Sequence, residues 1–388
     1  MAGFDDPQKT RSRRGPPLLP GAHPPPGFAC WLAAVSAGYT SFAMDVSLFD
    51  YELPAALIAQ EPAEPRDASR LLVLDRASGA CDDQVFRELP DLLRPGDCLV
   101  ANRSRVIPAR LLGATESGAH PVELLLLRPV DAERWEALVR PGRRCRVGAR
   151  LVLAGGVAHA RVVGLGGAGA RVVAVEAPWP VRELLERHGL PPLPPYIARH
   201  DAPKPEDRDR YQTVYARDDG SVAAPTAGLH FTPELLARLE QRDISLHFLT
   251  LHVGPGTFRP IRAEQVEAHR LEAELVEIPE PTARAVARAR REGRRIVAVG
   301  TTATRALEWA AGDDGAVRAV AGEADLFIRP GHRFRVVDAL VTNFHLPRSS
   351  LLVLVSAFAG RDAVLAAYRH AVASSYRFYS YGDAMLIH

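Results

Sequence analysis

A change of texture in the middle of the chain constrains its fold more than any other feature. Across residues 107–195 the apolar residues come in short β-like runs, at 122–127, 135–139, 150–153, 158–163 and 170–175, with glycines between them. Short strands with turn residues at close spacing close on themselves as a small barrel or sandwich. The flanks read differently. Strand-like and helical periodicities alternate after them: a strand at 244–253, a helix at 280–292, a strand at 296–299, a helix at 303–311, a strand at 336–341 and two helices within 349–374. That order predicts a mixed or parallel sheet with covering helices. The fold class expected is therefore α/β, with a larger mixed α/β domain built from residues 44–105 and 196–388 and a smaller all-β barrel-like domain inserted at 106–195. The run Leu190-Pro191-Pro192-Leu193-Pro194-Pro195 supplies a stiff extended connector back to the larger domain.

Residues 1–43 carry Arg11, Arg13 and Arg14 and a dense set of prolines with little periodicity. They are expected to be a disordered N-terminal extension, with Met44 as the start of the folded protein.

The least generic stretch is 222–260. Thr232 before Pro233 and Glu234 predicts a helix start, because the hydroxyl caps free amides and proline tolerates the first helical position. The loop Ala224-Pro225-Thr226-Ala227-Gly228-Leu229-His230 leads into that helix, and the loop His252-Val253-Gly254-Pro255-Gly256-Thr257-Phe258 follows the next strand. In open α/β sheets, ligands bind where such loops gather outside strand ends. Later loops join the set: Gly300-Thr301-Thr302-Ala303-Thr304-Arg305, Thr342-Asn343-Phe344-His345, and Tyr379-Ser380-Tyr381-Gly382-Asp383. A plain helix cap competes with a ligand role at Thr301 and Thr302. The loops at 222–260 are expected to wall one cleft with the later ones, His230 and His252 facing them across a shared pocket.

Composition excludes several classes. Cys30, Cys81, Cys98 and Cys145 have no regular spacing, which indicates neither a disulfide scaffold nor a zinc ribbon, and a reducing cytoplasmic setting is expected. No H-E-x-x-H, Walker loop or G-x-G-x-x-G after a strand is present, so metal and ordinary dinucleotide chemistry are disfavoured and no metal is expected. The net charge of +2 argues against a nucleic-acid-coating protein while leaving room for local basic faces. No apolar run reaches the ~18 residues that cross a bilayer, and the apolar run at 351–358 reads as a buried helix. A monomer is expected.

The segments PGDCLVANRSRVIPARLLG, RYQTVYA, GSVAAPTAGLHFT, TLHVGPGTF, AVGTTATRALE, VDALVTNFHLPRSSLLVLVSAFAG and YRFYSYGDAMLI carry a resemblance over essentially the whole folded chain. The sequence resembles the S-adenosylmethionine:tRNA ribosyltransferase-isomerase family of queuosine biosynthesis. The resemblance implies S-adenosylmethionine as a ribosyl donor and co-substrate. It also implies a tRNA partner carrying 7-aminomethyl-7-deazaguanine at the wobble position, and epoxyqueuosine-tRNA, adenine and methionine as products. Glu272 stands where the family often shows a second histidine, while His269 and Glu274 match its pattern.

That chemistry needs acids and bases of near-neutral pKa, a natural role for histidine. The candidates are His230, His252 and His345, with Asp383 as orienter or base. Thr301, Thr302 and Arg305 are the choice for the methionine carboxylate or ribose hydroxyls. Thr226, Gly228, Gly254, Gly256, Thr257, Gly300 and Asn343 complete the expected S-adenosylmethionine loops, and Phe231, Phe344 and Tyr381 are candidates for stacking on a base. For tRNA phosphates the candidates are Arg66, Arg70, Arg103 and Arg105, or the barrel's arginines at 143–146. A methyltransferase acting on RNA and a non-catalytic tRNA-binding module are the competing readings.

Overall fold

A computed structural model of the chain describes residues 43–199, 203–258 and 260–388. The extension expected over 1–43 lies, Ala43 apart, outside the described residues. The larger domain begins with β1 (Arg70–Leu74), β2 (Cys81–Val85), the short helix α1 (Leu89–Leu92), β3 (Cys98–Asn102) and β4 (Ser104–Val106). The chain then makes β5 (Arg110–Thr115), β6 (Pro121–Pro129), β7 (Arg134–Arg140), β8 (Arg150–Leu153), β9 (Ala158–Leu165) and β10 (Arg171–Glu176). These six close into an antiparallel barrel in the order β10-β7-β6-β5-β8-β9. Their sequences dictate it: β6 and β7 alternate buried and exposed residues, the pattern of strands with one dry face. Leu124, Leu126, Trp135, Ala137, Leu151 and Val162 fill the interior, and α2 (Val181–His188) packs Val181, Leu184 and Leu185 into the same core.

The chain returns through α3 (Asp207–Arg210) and β11 (Asp218–Ser221), which pairs with β4. The remaining elements are α4 (Pro233–Gln241), β12 (Ser245–Leu251), β13 (Glu274–Ile278), α5 (Glu280–Arg291), β14 (Ile296–Val299), α6 (Thr301–Ala310), β15 (Val320–Ala324), β16 (Ala339–Asn343), α7 (Ser350–Ala359), α8 (Arg361–Ala373) and β17 (Ala384–Ile387). The α4 start follows the expected chemistry, with Thr232 Oγ1 accepting from the Leu235 amide at 3.1 Å. Nine strands form one sheet in the order β15-β13-β12-β3-β14-β16-β17-β1-β2. The expected mixed α/β domain with an inserted barrel is the architecture observed.

Strand periodicity assigns the two faces. Leu72, Val100, Ala298 and Leu340 face one side, together with residues of α5 to α8. Their neighbours Leu71, Leu99, Val297 and Val341 face the other, with Phe86, Leu89, Leu235 and Leu239 around α1 and α4. The apolar run expected as a buried helix is α7, eight of whose ten residues are buried. Among the described residues no single helix is long and apolar enough to cross a membrane.

Strand direction gathers the loops. β12, β3, β14 and β16 are parallel, so Leu251, Asn102, Val299 and Asn343 end at one edge of the sheet. β17 runs antiparallel to β16, with Ala384 opposite Asn343, and parallel to β1, with Ala384 opposite Leu71. The loop before β17 and the residues before β1 therefore reach that same edge.

Candidate active site

Asn102 clamps the edge from below. Its Nδ2 donates to the Leu251 carbonyl at 2.8 Å, and its Oδ1 accepts from the Leu251 and Ser104 amides at 3.0 Å each. The end of β12, and with it the loop that starts at His252, is thereby held against the end of β3.

A buried carboxylate fixes the other side of that loop. Glu274, at the start of β13, accepts on Oε1 from the Gly254 amide at 2.8 Å and from the Thr257 hydroxyl at 2.7 Å. Its Oε2 lies 2.9 Å from Arg305 Nη2, with side chains 4% and 7% exposed. Neither Glu274 Oε2 nor Arg305 Nε has a hydrogen-bond partner, and the pair is held by charge. Arg305 also donates to the Ala324 carbonyl at 3.1 Å. Its guanidinium thus serves the loop rather than opening on a ligand.

The three histidines fall in different surroundings. His230 is buried, receives Asn343 Nδ2–H on Nε2 at 3.1 Å, and so carries its proton on Nδ1, which donates to Ser69 Oγ at 2.7 Å. Its ring stacks on Phe86 with centroids 4.8 Å apart. Burial, with Arg377 and Arg66 nearby, pushes its pKa down to about 3. His345 is buried too, bonded to the Thr342 hydroxyl at 2.9 Å, and burial pushes its pKa down to about 3. His252 is half-buried, and its Nδ1 has no hydrogen-bond partner. Burial lowers its pKa against the opposing pull of Asp218 and Glu277.

His252 alone of the three lines a cavity of ligand size. That cavity, about 740 Å³, lies between the barrel and the sheet edge, with Trp135 and Ala170 from the barrel and Gly220, His252, Gly254 and Glu274 from the larger domain in its walls. The volume suits a small-molecule site. Its lining holds seven carboxylates, and six of them, Glu136, Glu183, Glu186, Asp219, Glu274 and Glu323, are ion-paired with arginines.

The other expected loops meet beside it. Thr226, Thr257, Asn343 and His345 line two further cavities of about 20 Å³ each, and Gly300, Thr301 and Thr302 line one of them. Each has room for about one water. Val253 is common to the large cavity and to one small one, so they adjoin. The first turn of α6 opens there with no side-chain cap, and Asn343 Oδ1 is buried without a partner. The single pocket expected to hold both His230 and His252 is thus divided: His252 and Gly254 face the large cavity, while His230 stands behind Asn343.

The remaining expected residues have these places. Gly228 is required by contact, since a Cβ there would lie 2.2 Å from Tyr215 Oη, and Gly300 adopts φ 92°. Gly256 lies beside Glu272, 3.4 Å from its Cδ at the position of an added Cβ. Asp383 is buried; its Oδ1 accepts from the Arg70 amide at 3.0 Å and from Arg377 Nη2 at 3.1 Å, and its Oδ2 accepts from the Arg377 amide at 2.8 Å. That carboxylate joins the loop before β17 to β1. Phe231 and Phe344 are fully buried, Phe344 edge-on to Tyr368 and Tyr376, and Tyr381 packs edge-on to Tyr211, so no ring face of these lies open.

The four arginines proposed for phosphates have internal partners. Arg66 donates to the carbonyls of Gln212 at 2.6 Å and Asp209 at 3.0 Å, and Arg70 donates to the Ser374 carbonyl at 2.6 Å while lying 3.6 Å over the Tyr376 ring. Arg103 pairs with Asp218 at 2.7 Å and Arg105 with Asp219 at 3.0 Å. Sequence reasoning missed Ser69, Gly220 and the role of Glu274 in joining Gly254, Thr257 and Arg305. Only the short spacing of Gly220 from the 222–260 stretch could have drawn attention to it.

Fold and cavity together define a two-part α/β protein whose inserted barrel walls a polar, histidine-bearing pocket at a sheet edge. The chain belongs to the queuosine biosynthesis protein family, which it matches over residues 46–387. It is 54% identical over 344 residues to the S-adenosylmethionine:tRNA ribosyltransferase-isomerase of Symbiobacterium thermophilum, covering 89% of this chain and 100% of that protein. It is likewise 54% identical over 348 residues to the protein of that name from Geobacter metallireducens, again covering 89% and 100%. The crystal structure of an S-adenosylmethionine tRNA ribosyltransferase from Thermotoga maritima is 40% identical, with a TM-score of 0.50 over 88% of this chain and 100% of that one.

Proposed function

We propose that the protein is an S-adenosylmethionine:tRNA ribosyltransferase-isomerase. It transfers and isomerises the ribosyl group of S-adenosylmethionine onto 7-aminomethyl-7-deazaguanine at the tRNA wobble position, giving epoxyqueuosine-tRNA and releasing adenine and methionine. The observation that carries the reading is the ligand-sized cavity bounded by the family's own HVGPGTF loop, with the His252 side chain in its wall.

His252 is the residue we assign to proton transfer. Its lowered pKa keeps the imidazole neutral at physiological pH, the form that can accept the proton removed beside the sulfonium. His230, His345 and Asp383 act as positioning groups, because both side-chain polar atoms of His230 and of Asp383 and the Nε2 of His345 are bonded inside the protein. The first turn of α6, uncapped by any side chain, lies beside the small cavity that adjoins the large one, and a helix start of this kind favours a carboxylate.

The test is incubation of the protein with adenine-labelled S-adenosylmethionine and tRNA carrying the precursor base. Free adenine supports the proposal. Formation of S-adenosylhomocysteine makes the protein a methyltransferase, and tRNA binding without turnover makes it a binding module; either result rejects the proposal.

A further inference from the structure

We propose that the exposed arginines on the outer wall of the barrel, Arg143, Arg144, Arg146, Arg150 and Arg161, form the surface that grips the phosphate backbone of the RNA. The inference rests on an RNA substrate for the adjoining cavity. Three observations point to these residues. All five are exposed, and Arg143, Arg144, Arg146 and Arg161 have no ion-pair partner among the described residues. Arg150, on β8, stands directly opposite Arg161, on β9. Like charges at such positions destabilise a sheet, and the one nearby acid that pairs, Glu116, lies 3.6 Å from Arg150 with both side chains more than half exposed. Facing Arg161 across a shallow hollow are Glu133 and Asp131, the latter already bonded to Arg134 at 2.6 Å. A ladder that keeps two guanidiniums abreast, one of them with only an exposed, long ion pair, suits an anion that bridges them.

The second link is mechanical. Arg171 donates from Nε to the Cys145 carbonyl at 3.3 Å and from Nη1 to the carbonyls of Gly169 at 3.0 Å and Ala170 at 3.1 Å. One side chain thus ties the arginine loop to the Gly167–Gly169 turn and Ala170, and Gly167 and Ala170 line the large cavity. An RNA with its reactive base in that cavity can lay phosphates along this loop. Arginine suits the task because its fork meets phosphate oxygens in pairs. The contrast with Arg66, Arg70, Arg103 and Arg105 is direct, since those four already have partners inside the protein.

The experiment measures binding of labelled tRNA to the full chain from roughly 50 to 200 mM salt. The triple variant Arg143→Gln, Arg144→Gln, Arg146→Gln should make the salt slope shallower by about 3 and weaken binding by roughly a hundredfold at physiological salt. The triple Arg→Lys variant, which keeps the charge, should retain most of both. Unchanged affinity and slope in the Gln triple overturns the proposal, as does equal loss in the Lys triple with the slope intact, which signals a structural role. Loss of binding to anionic phosphatidylglycerol vesicles with tRNA affinity intact also overturns it, in favour of a membrane surface. Because binding is read apart from turnover, a wild-type protein that binds tRNA through this patch but releases no adenine refutes the enzymatic reading alone.

Discussion

Replacing Glu274 by Gln tests the logic of the loop that carries His252. The carboxylate accepts from Gly254 and Thr257 on one oxygen and faces Arg305 on the other, with both side chains almost wholly buried. Gln keeps the first oxygen and turns an amide toward the guanidinium. Arg305 then keeps the Ala324 carbonyl and loses its counter-charge. Breaking one half of a buried pair costs about 3–5 kcal/mol, because a charge is left in low dielectric. The stability loss in urea titration should fall in that range. The double variant Glu274→Gln, Arg305→Met removes the stranded cation while keeping the acceptor for Gly254 and Thr257. It should recover all but about 1–2 kcal/mol, giving a coupling energy of roughly 2 kcal/mol or more. Adenine release should stay low in the double variant even where it is fully folded, since Gln holds the loop less tightly than the carboxylate. A single variant within about 1 kcal/mol of the parent, or a double variant as unstable as the single, would refute the reasoning.

Two further outcomes follow from the same geometry. Gly220 has φ 142°, and an added Cβ would lie 2.9 Å from His252 Nδ1 and Cε1. Gly220→Ala should displace the imidazole and lower kcat/KM by roughly tenfold to a hundredfold, with a stability loss of about 1–3 kcal/mol; full activity in the adenine-release assay would remove His252 from the chemistry. Acid should also unfold the protein early. His230 and His345 are held at about 3 when folded, against 6.5 as the ordinary value, so the unfolded chain takes up protons that the native state refuses. Their contribution is complete above pH 6.5 and declines as pH falls toward the folded value, by about 2 kcal/mol each at pH 5. Urea unfolding at neutral pH and at mildly acidic pH measures this, and a flat profile across that window contradicts it.

Much of the architecture was legible because it is local. The barrel strands fall where short apolar runs predict them, with 150–153 matching Arg150–Leu153 and 122–127 lying inside Pro121–Pro129. The first barrel strand, Arg110–Thr115, went unread, since Gly113 and a mixed burial pattern blur its alternation. The strand expected at 336–341 is instead Ala339–Asn343, because Val336 and Val337 donate their amides to Glu308 rather than to a ladder. In the site, the loops were identifiable from glycine, threonine and histidine at strand ends. Which histidine meets the cavity was not, since that depends on Asn343 and Ser69, far away in sequence, closing around His230. The arginines suffered the same limit: a basic residue looks available in a sequence until its acidic partner, such as Asp218 for Arg103, arrives from elsewhere.

The place of β17 has a consequence for how the protein is made. The strand lies inside the sheet, between β16 and β1, and the loop before it delivers Asp383 to Arg70. A ribosome must therefore synthesise the chain through Ile387 before β1, emerging more than three hundred residues earlier, finds its parallel neighbour. Until then β16 and β1 wait with open hydrogen bonds on the sides that face each other. Any product of premature termination upstream of this strand lacks it and is silent, so activity itself reports that translation passed Ile387.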